Sequence, residues 1–125
     1  MQAQTAANVA SNAMNKGDVL GTARFAGVQA AKEAASLLPL CGPVLVRNVS
    51  VDFNISEAAI DVEAVVDCFD RSGVEMQAFA AATVAALTIY DMCKSADRAM
   101  SIGPVVLWER SGDPSNDWRR RDDPD

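Results

Sequence analysis

The chain has 125 residues, half of them hydrophobic and 22% charged, with a formal net charge of −6 and no histidine. That suffices for one domain with a core, often finished by burying apolar surface in an oligomer, and the acidic balance excludes a basic nucleic-acid groove. Cys41, Cys68 and Cys93 are odd in number and unevenly spaced with no CxxC pair, so reduced thiols in a cytoplasmic protein are expected rather than disulfides. A zinc site would need carboxylates or all three cysteines, and neither a metal nor a cofactor is expected. Nor is a signal peptide or a membrane span.

Residues 1–15 are Ala, Asn, Gln and Ser with few large apolar side chains, which reads as a weak helix or a loose arm. Within it, Ser11-Asn12-Ala13-Met14 has the look of a tag remnant before a start methionine, with a natural sequence an equal alternative. A single domain is expected over 16–110. Asp18 is a candidate N-cap for a helix whose apolar positions run from Val19 to Leu38. Pro39 ends it, because the residue before a proline resists the α conformation. Leu40-Cys41-Gly42-Pro43 is a compact loop.

Val44 to Ile55 reads as a strand in which Val49, Val51, Phe53 and Ile55 alternate with Ser50, Asp52 and Asn54. After a short turn at Ser56-Glu57-Ala58, Ile60 to Cys68 alternates in the same way and predicts an antiparallel partner. Asp70 to Gly73 turns into the longest proline-free run, Gly73 to Arg98, predicted as a buried helix of about seven turns. Pro104 suits the first position of a third strand, Val105 to Glu109. Residues 111–125 are polar and predict a disordered tail. The order helix, strand, strand, helix, strand predicts an α+β fold with an antiparallel sheet and helices on one face. It matches a ferredoxin-like split βαβ lacking its first strand.

Four places could carry chemistry. Lys16, beside the start of the first helix, could hold an anion, or be only an exposed lysine. The Leu40-Cys41-Gly42 loop could present amides or a thiol, or be only a corner. Glu75 falls in a first helical turn, where the dipole favours a carboxylate without any further role. Asp91 and Lys94 share a helix face, as a surface ion pair or as an acid–base pair. Glu75 and Asp91 are sixteen residues apart on one helix. At 1.5 Å per residue they stand roughly 24 Å apart. If both are functional, either there are two sites or a second copy of the chain completes one.

The runs KGDVLGTARFAGVQAAK (Lys16 to Lys32), LLPLCGP (Leu37 to Pro43), SGVEMQA (Ser72 to Ala78), AALTIYDMCK (Ala85 to Lys94) and IGPVVL strongly resemble the MoaC family, in order, from Lys16 to Arg110. The resemblance implies a ferredoxin-like α+β fold assembled as a homo-hexamer, a trimer of dimers, with active sites between subunits. It implies a lyase of molybdenum cofactor biosynthesis that converts 3′,8-cyclo-7,8-dihydro-GTP into cyclic pyranopterin monophosphate and releases pyrophosphate. The implied partner is that nucleotide-derived small molecule, without nucleic acid, membrane or cofactor. By resemblance, Asp91 is the catalytic aspartate, with Lys16 and Lys94 as pocket lysines. Leu40, Cys41 and Gly42 match the substrate-binding loop, and Glu75, Met76 and Gln77 the acidic substrate-binding segment.

The chain departs from the family pattern in four places. Gly42 stands where the family loop reads Leu-Cys-His-Pro, and Gln77 where it reads Val-Glu-Met-Glu. The family's initial strand is not found before Lys16, and Ser111 to Ser115 lacks the lysine of its glycine- and lysine-rich end. Losing one general acid–base group typically costs about a hundredfold to ten-thousandfold. Two readings therefore stand: a divergent synthase retaining Lys16, Glu75, Asp91 and Lys94, or a weak or silent paralogue that binds nucleotide or co-assembles with an active copy. An unrelated α+β module is a distant third.

Overall fold

In the computed structural model, which describes residues 1–69 and 73–121, Asp18 opens the first long helix as its side chain predicts. Its Oδ1 accepts the Gly21 amide at 3.0 Å. This supplies a partner to one of the amides that a helix start leaves without one. Gly17, at φ 105°, makes the left-handed turn ahead of that cap. The shorter helix α1 spans Ala3–Ala10, and α2 spans Val19–Leu37. At the far end of α2, Leu38 is already extended, as the residue before Pro39 should be.

The strands β1 (Val46–Ile55) and β2 (Ile60–Cys68) pair antiparallel, with Ile55 opposite Ile60 and Val51 opposite Ala64. The turn between them closes through the Ser56 amide on the Ala59 carbonyl at 2.9 Å. Val49, Val51, Phe53, Val62, Ala64 and Val66 share the face that packs into the core. Helix α3 (Glu75–Cys93) and α2 cover that face, giving the expected α+β layers. Arg24 ties α2 to β1: its Nε donates to the Val51 carbonyl at 2.9 Å and its guanidinium lies 5.3 Å from the Phe53 ring centre.

The two helices approach closely because their contact residues are small. Ala81 and Ala85 of α3 and Ala23 of α2 are fully buried. Gly27 faces them so tightly that a Cβ there would fall 2.9 Å from the Ala81 carbonyl oxygen and 3.1 Å from Val51 Cγ2. By length and composition α3 could cross a membrane. Here Gln77, Ala81, Ala85, Ile89, Met92 and Cys93 form a buried stripe, which makes it the core helix of the domain. The opposite side is open to solvent, and Leu87 there stays 54% exposed.

Four expectations need correction. Of the two readings of residues 1–15, the helix stands and the loose arm does not: α1 buries Thr5, Ala6 and Val9. The α3 helix starts at Glu75 and ends at Cys93, about a turn short of Arg98. Beyond it the chain turns so that the buried Asp97 accepts the Gln2 amide at 2.7 Å, just ahead of α1. Val105 to Leu107 form no strand and the sheet has two strands, since that run pairs with neither β1 nor β2. Instead β3 (Glu109–Arg110) pairs with β4 (Trp118–Arg119) in a separate small ladder. Residues 111–121 of the expected disordered tail are thereby folded into a hairpin. The predicted turn at Asp70 to Ser72, and residues 122–125, lie outside the described residues.

Substituting Gly27→Ala should lower stability by about 1–2 kcal/mol, since overpacking against backbone outweighs the gain in helix propensity. Urea unfolding reads this as a lower midpoint at unchanged slope. A variant as stable as the parent would mean that α2 and α3 have room to part.

Candidate functional site

The antiparallel course of α2 and α3 places a loop of α2 at each end of α3. The loop after α2 meets the start of α3, where Gln77 Nε2 donates to Cys41 Sγ at 3.4 Å. The segment before α2 meets the other end, where Lys16 Nζ donates to the Asp91 backbone carbonyl at 3.4 Å. Two grooves result.

The near-end groove, about 340 Å³, is lined by Cys41, Gly42, Pro43, Val44, Gly73, Glu75, Met76 and Gln77. Gln77 is 3% exposed, so its amide is a fixed, neutral donor at the groove wall. Gly42 is open on its side-chain face, with nothing within 4 Å of where a Cβ would stand. Glu75 is not alone: Arg110 donates to its Oε2 at 2.9 Å, and both side chains are mostly buried. Charge-assisted pairs in such partly dry positions hold their geometry better than surface pairs.

The far-end groove, about 500 Å³, is lined by Leu87, Thr88, Tyr90, Asp91 and Lys94. Lys94 Nζ and Asp91 Oδ1 are 2.8 Å apart. The Lys94 hydrogen bond, then its charge, hold the Asp91 carboxyl below its ordinary range, with Lys16 adding a smaller push in the same sense. Asp91 in turn holds the Lys94 ammonium above its ordinary value. Near neutral pH the aspartate is therefore an ionised base flanked by two ammonium groups. The pair is open to solvent, so it contributes little to stability and its carboxylate is accessible to a ligand.

The expected residues thus fall into two sets. Lys16, Asp91 and Lys94 are brought together, and so are Cys41, Gly42, Glu75, Met76 and Gln77. Leu40 is not with them: it is fully exposed and lines neither groove, because the groove takes the loop only from Cys41 onward. Asp97, part of the polar end of the predicted helix, is buried and joins α1 instead. Arg110 is the functional candidate that sequence reasoning missed. Its partner lies 35 residues away. The one signal was Glu75 itself, a carboxylate in an apolar setting that calls for a cation. Among the described residues, no group of three or more His, Cys, Asp or Glu is placed to hold a metal ion.

A profile of the MoaC family matches residues 1–113, starting ahead of Lys16 and taking in α1. The cyclic pyranopterin monophosphate synthase of Roseiflexus sp. (strain RS-1) is 48% identical over 120 residues, 94% of this chain and 76% of that protein. The protein of that name from Geobacter sulfurreducens is 44% identical over 124 residues, 98% of this chain and 78% of the relative. One from Thermomicrobium roseum is 49% identical over 110 residues, 86% of this chain and 66% of the relative.

The coupling of Asp91 to Lys94 is measurable. In Lys94→Ala the main cause of the depressed carboxyl pKa is gone, so Asp91 should titrate at higher pH, toward the usual carboxylate range. A carbon-13 NMR titration of the Asp91 carboxyl reads the shift. An unchanged midpoint would mean that Lys94 does not set the charge state.

Proposed function

The chain belongs to the MoaC family, and from that premise we propose that it converts 3′,8-cyclo-7,8-dihydro-GTP into cyclic pyranopterin monophosphate with release of pyrophosphate. That makes it a lyase of molybdenum cofactor biosynthesis, a cyclic pyranopterin monophosphate synthase like its relatives. The silent-paralogue alternative draws on Gly42 and Gln77 alone, and the relatives' names favour the enzyme.

The observation that carries the reading to particular residues is the far-end cluster. Lys16, distant in sequence, meets the Asp91–Lys94 pair at one end of α3, and that pair lines the far-end groove. Lys16 and Lys94 supply the positive charge that a triphosphate and its departing pyrophosphate require. Asp91, ionised before substrate arrives, accepts a proton during ring opening and returns it during reclosure. In the near-end groove, Glu75 and Gln77 bind the ring portion: the first accepts hydrogen bonds, and the second donates through its amide. Cys41 and Gly42 present backbone beside them. The glycine leaves open the volume an imidazole would fill and supplies no proton relay.

The same helix separates these sets by roughly 24 Å, too far for one substrate to touch both within a subunit. The resemblance to the MoaC family implies a cytoplasmic homo-hexamer, a trimer of dimers, and the separation fits an assembly in which one copy's near-end groove faces another's far-end groove. Exposed Phe25, Val65 and Leu87, at 68%, 53% and 54%, support such contacts with apolar surface that water leaves uncovered.

The direct test incubates the protein with the cyclised GTP intermediate and follows the oxidised, fluorescent pterin together with pyrophosphate. Turnover is expected, and Asp91→Asn should lower kcat by about 10²- to 10⁴-fold. No pterin at high enzyme concentration would contradict the assignment. Combining Gly42→His with Gln77→Glu should raise kcat about tenfold or more by restoring two proton-transfer groups. An unchanged kcat would show that the groove works without them.

A further inference from the structure

Both tryptophans of the chain sit on the C-terminal hairpin, and one arginine lies between them. The Arg120 guanidinium is 5.9 Å from the Trp108 ring centre and 5.6 Å from that of Trp118. Its Nε donates to the Leu107 carbonyl at 2.9 Å, and its backbone amide donates to the Trp108 carbonyl at 2.8 Å. This stack encloses β3 and β4, a ladder of only two residue pairs, Glu109 with Arg119 and Arg110 with Trp118. Two strands of that length do not hold together in water unaided. Cation–π contacts of about 0.5–2 kcal/mol each are of the size needed to order them. The connecting turn is closed separately, by Asp113 accepting from the Ser115 amide and hydroxyl and from Asn116 Nδ2.

The ordered strand has one reach into the near-end groove. Arg110, opposite Trp118 in the ladder, donates to Glu75 Oε2 at 2.9 Å. The approach passes Gly73, where a Cβ would stand 3.3 Å from both terminal guanidinium nitrogens. We propose that Arg120 is a positioning residue: stacked between Trp108 and Trp118, it holds the hairpin whose Arg110 fixes the Glu75 carboxylate at the wall of the near-end groove. The inference rests on the reading of that groove as a substrate site. The C-terminal hairpin then sets the angle and charge environment of Glu75, 45 residues earlier in the chain than Arg120.

The test uses the full chain with Arg120→Ala, Arg120→Lys, Arg110→Ala and the Arg110→Ala/Arg120→Ala double variant. With only two tryptophans in the chain, both on the stack, selectively excited tryptophan fluorescence reports on it. Arg120→Ala should shift the emission to longer wavelength while the helical circular dichroism stays. In nitrogen-15 NMR it should broaden or lose the signal of the Arg110 Nη1–H group that donates to Glu75. In turnover it should raise KM about threefold to tenfold with a smaller change in kcat, and Arg120→Lys should recover part of that loss. In the Arg110→Ala background the same change should alter kcat/KM by less than about twofold, because residues acting through one path are not additive. A retained Arg110 signal in Arg120→Ala, or an equal loss of kcat/KM in both backgrounds, would overturn the proposal. Wild-type protein that never turns over would sink the functional reading instead, and the NMR signal would still decide whether Arg120 positions Arg110.

Discussion

The close approach of α2 and α3 at Gly27 is the constraint on which the rest depends. A glycine against the Ala81 carbonyl, with Ala85 and Val51 beside it, leaves no space for the helices to shift. Packing this tight permits few registers, because moving either helix along the other would bring a Cβ into backbone. With α3 fixed antiparallel to α2, the loops flanking α2 must fall at the two ends of α3. The Cys41 loop then meets Gln77, and Lys16 meets Asp91. Neither groove has an independent origin: both follow from one helix contact over the β1–β2 sheet.

The two ends differ in chemistry, in a way that suits different parts of one substrate. The far end is ionic and wet, with two ammonium groups around a depressed aspartate in a chain whose overall charge is −6. A local excess of positive charge on an acidic molecule directs an anion to one place instead of spreading attraction over the surface. The near end is drier. Its carboxylate is paired with Arg110, and the amide of Gln77 donates to the Cys41 sulfur beside it. Gln77 is the isostere that a buried wall tolerates most easily, because a second carboxylate there would need its own cation. Gly42 leaves that wall without an imidazole.

Sequence reading served well where chemistry is local. The Asp18 cap, the Pro39 stop and the alternation of β1 and β2 are each decided within a few residues, and each stands in the fold. So does the pairing of Asp91 with Lys94, one helical turn apart. What was not legible depends on distant partners. Small residues in α1 looked like a loose arm until Thr5, Ala6 and Val9 found a surface to bury against. The Val105 run looked like a strand because apolar composition does not say whether a sheet edge is within reach. The polar tail looked disordered because an Arg120 placed between Trp108 and Trp118 is a tertiary contact with no periodic signature. Arg110 was invisible as a site residue for the same reason.

The central claim is that the two ends of α3, fixed apart in one subunit, belong to a single composite site shared by two copies. Mixing subunits tests it most directly. Glu75→Gln and Asp91→Asn chains, each inactive alone, are unfolded together, refolded as mixed oligomers and assayed for pterin formation. A shared site predicts recovery to about a quarter of the wild-type rate, the fraction of randomly assembled sites that draw an intact residue from each copy. A mixture as inactive as its components would contradict the account, because every subunit would then carry its whole site alone.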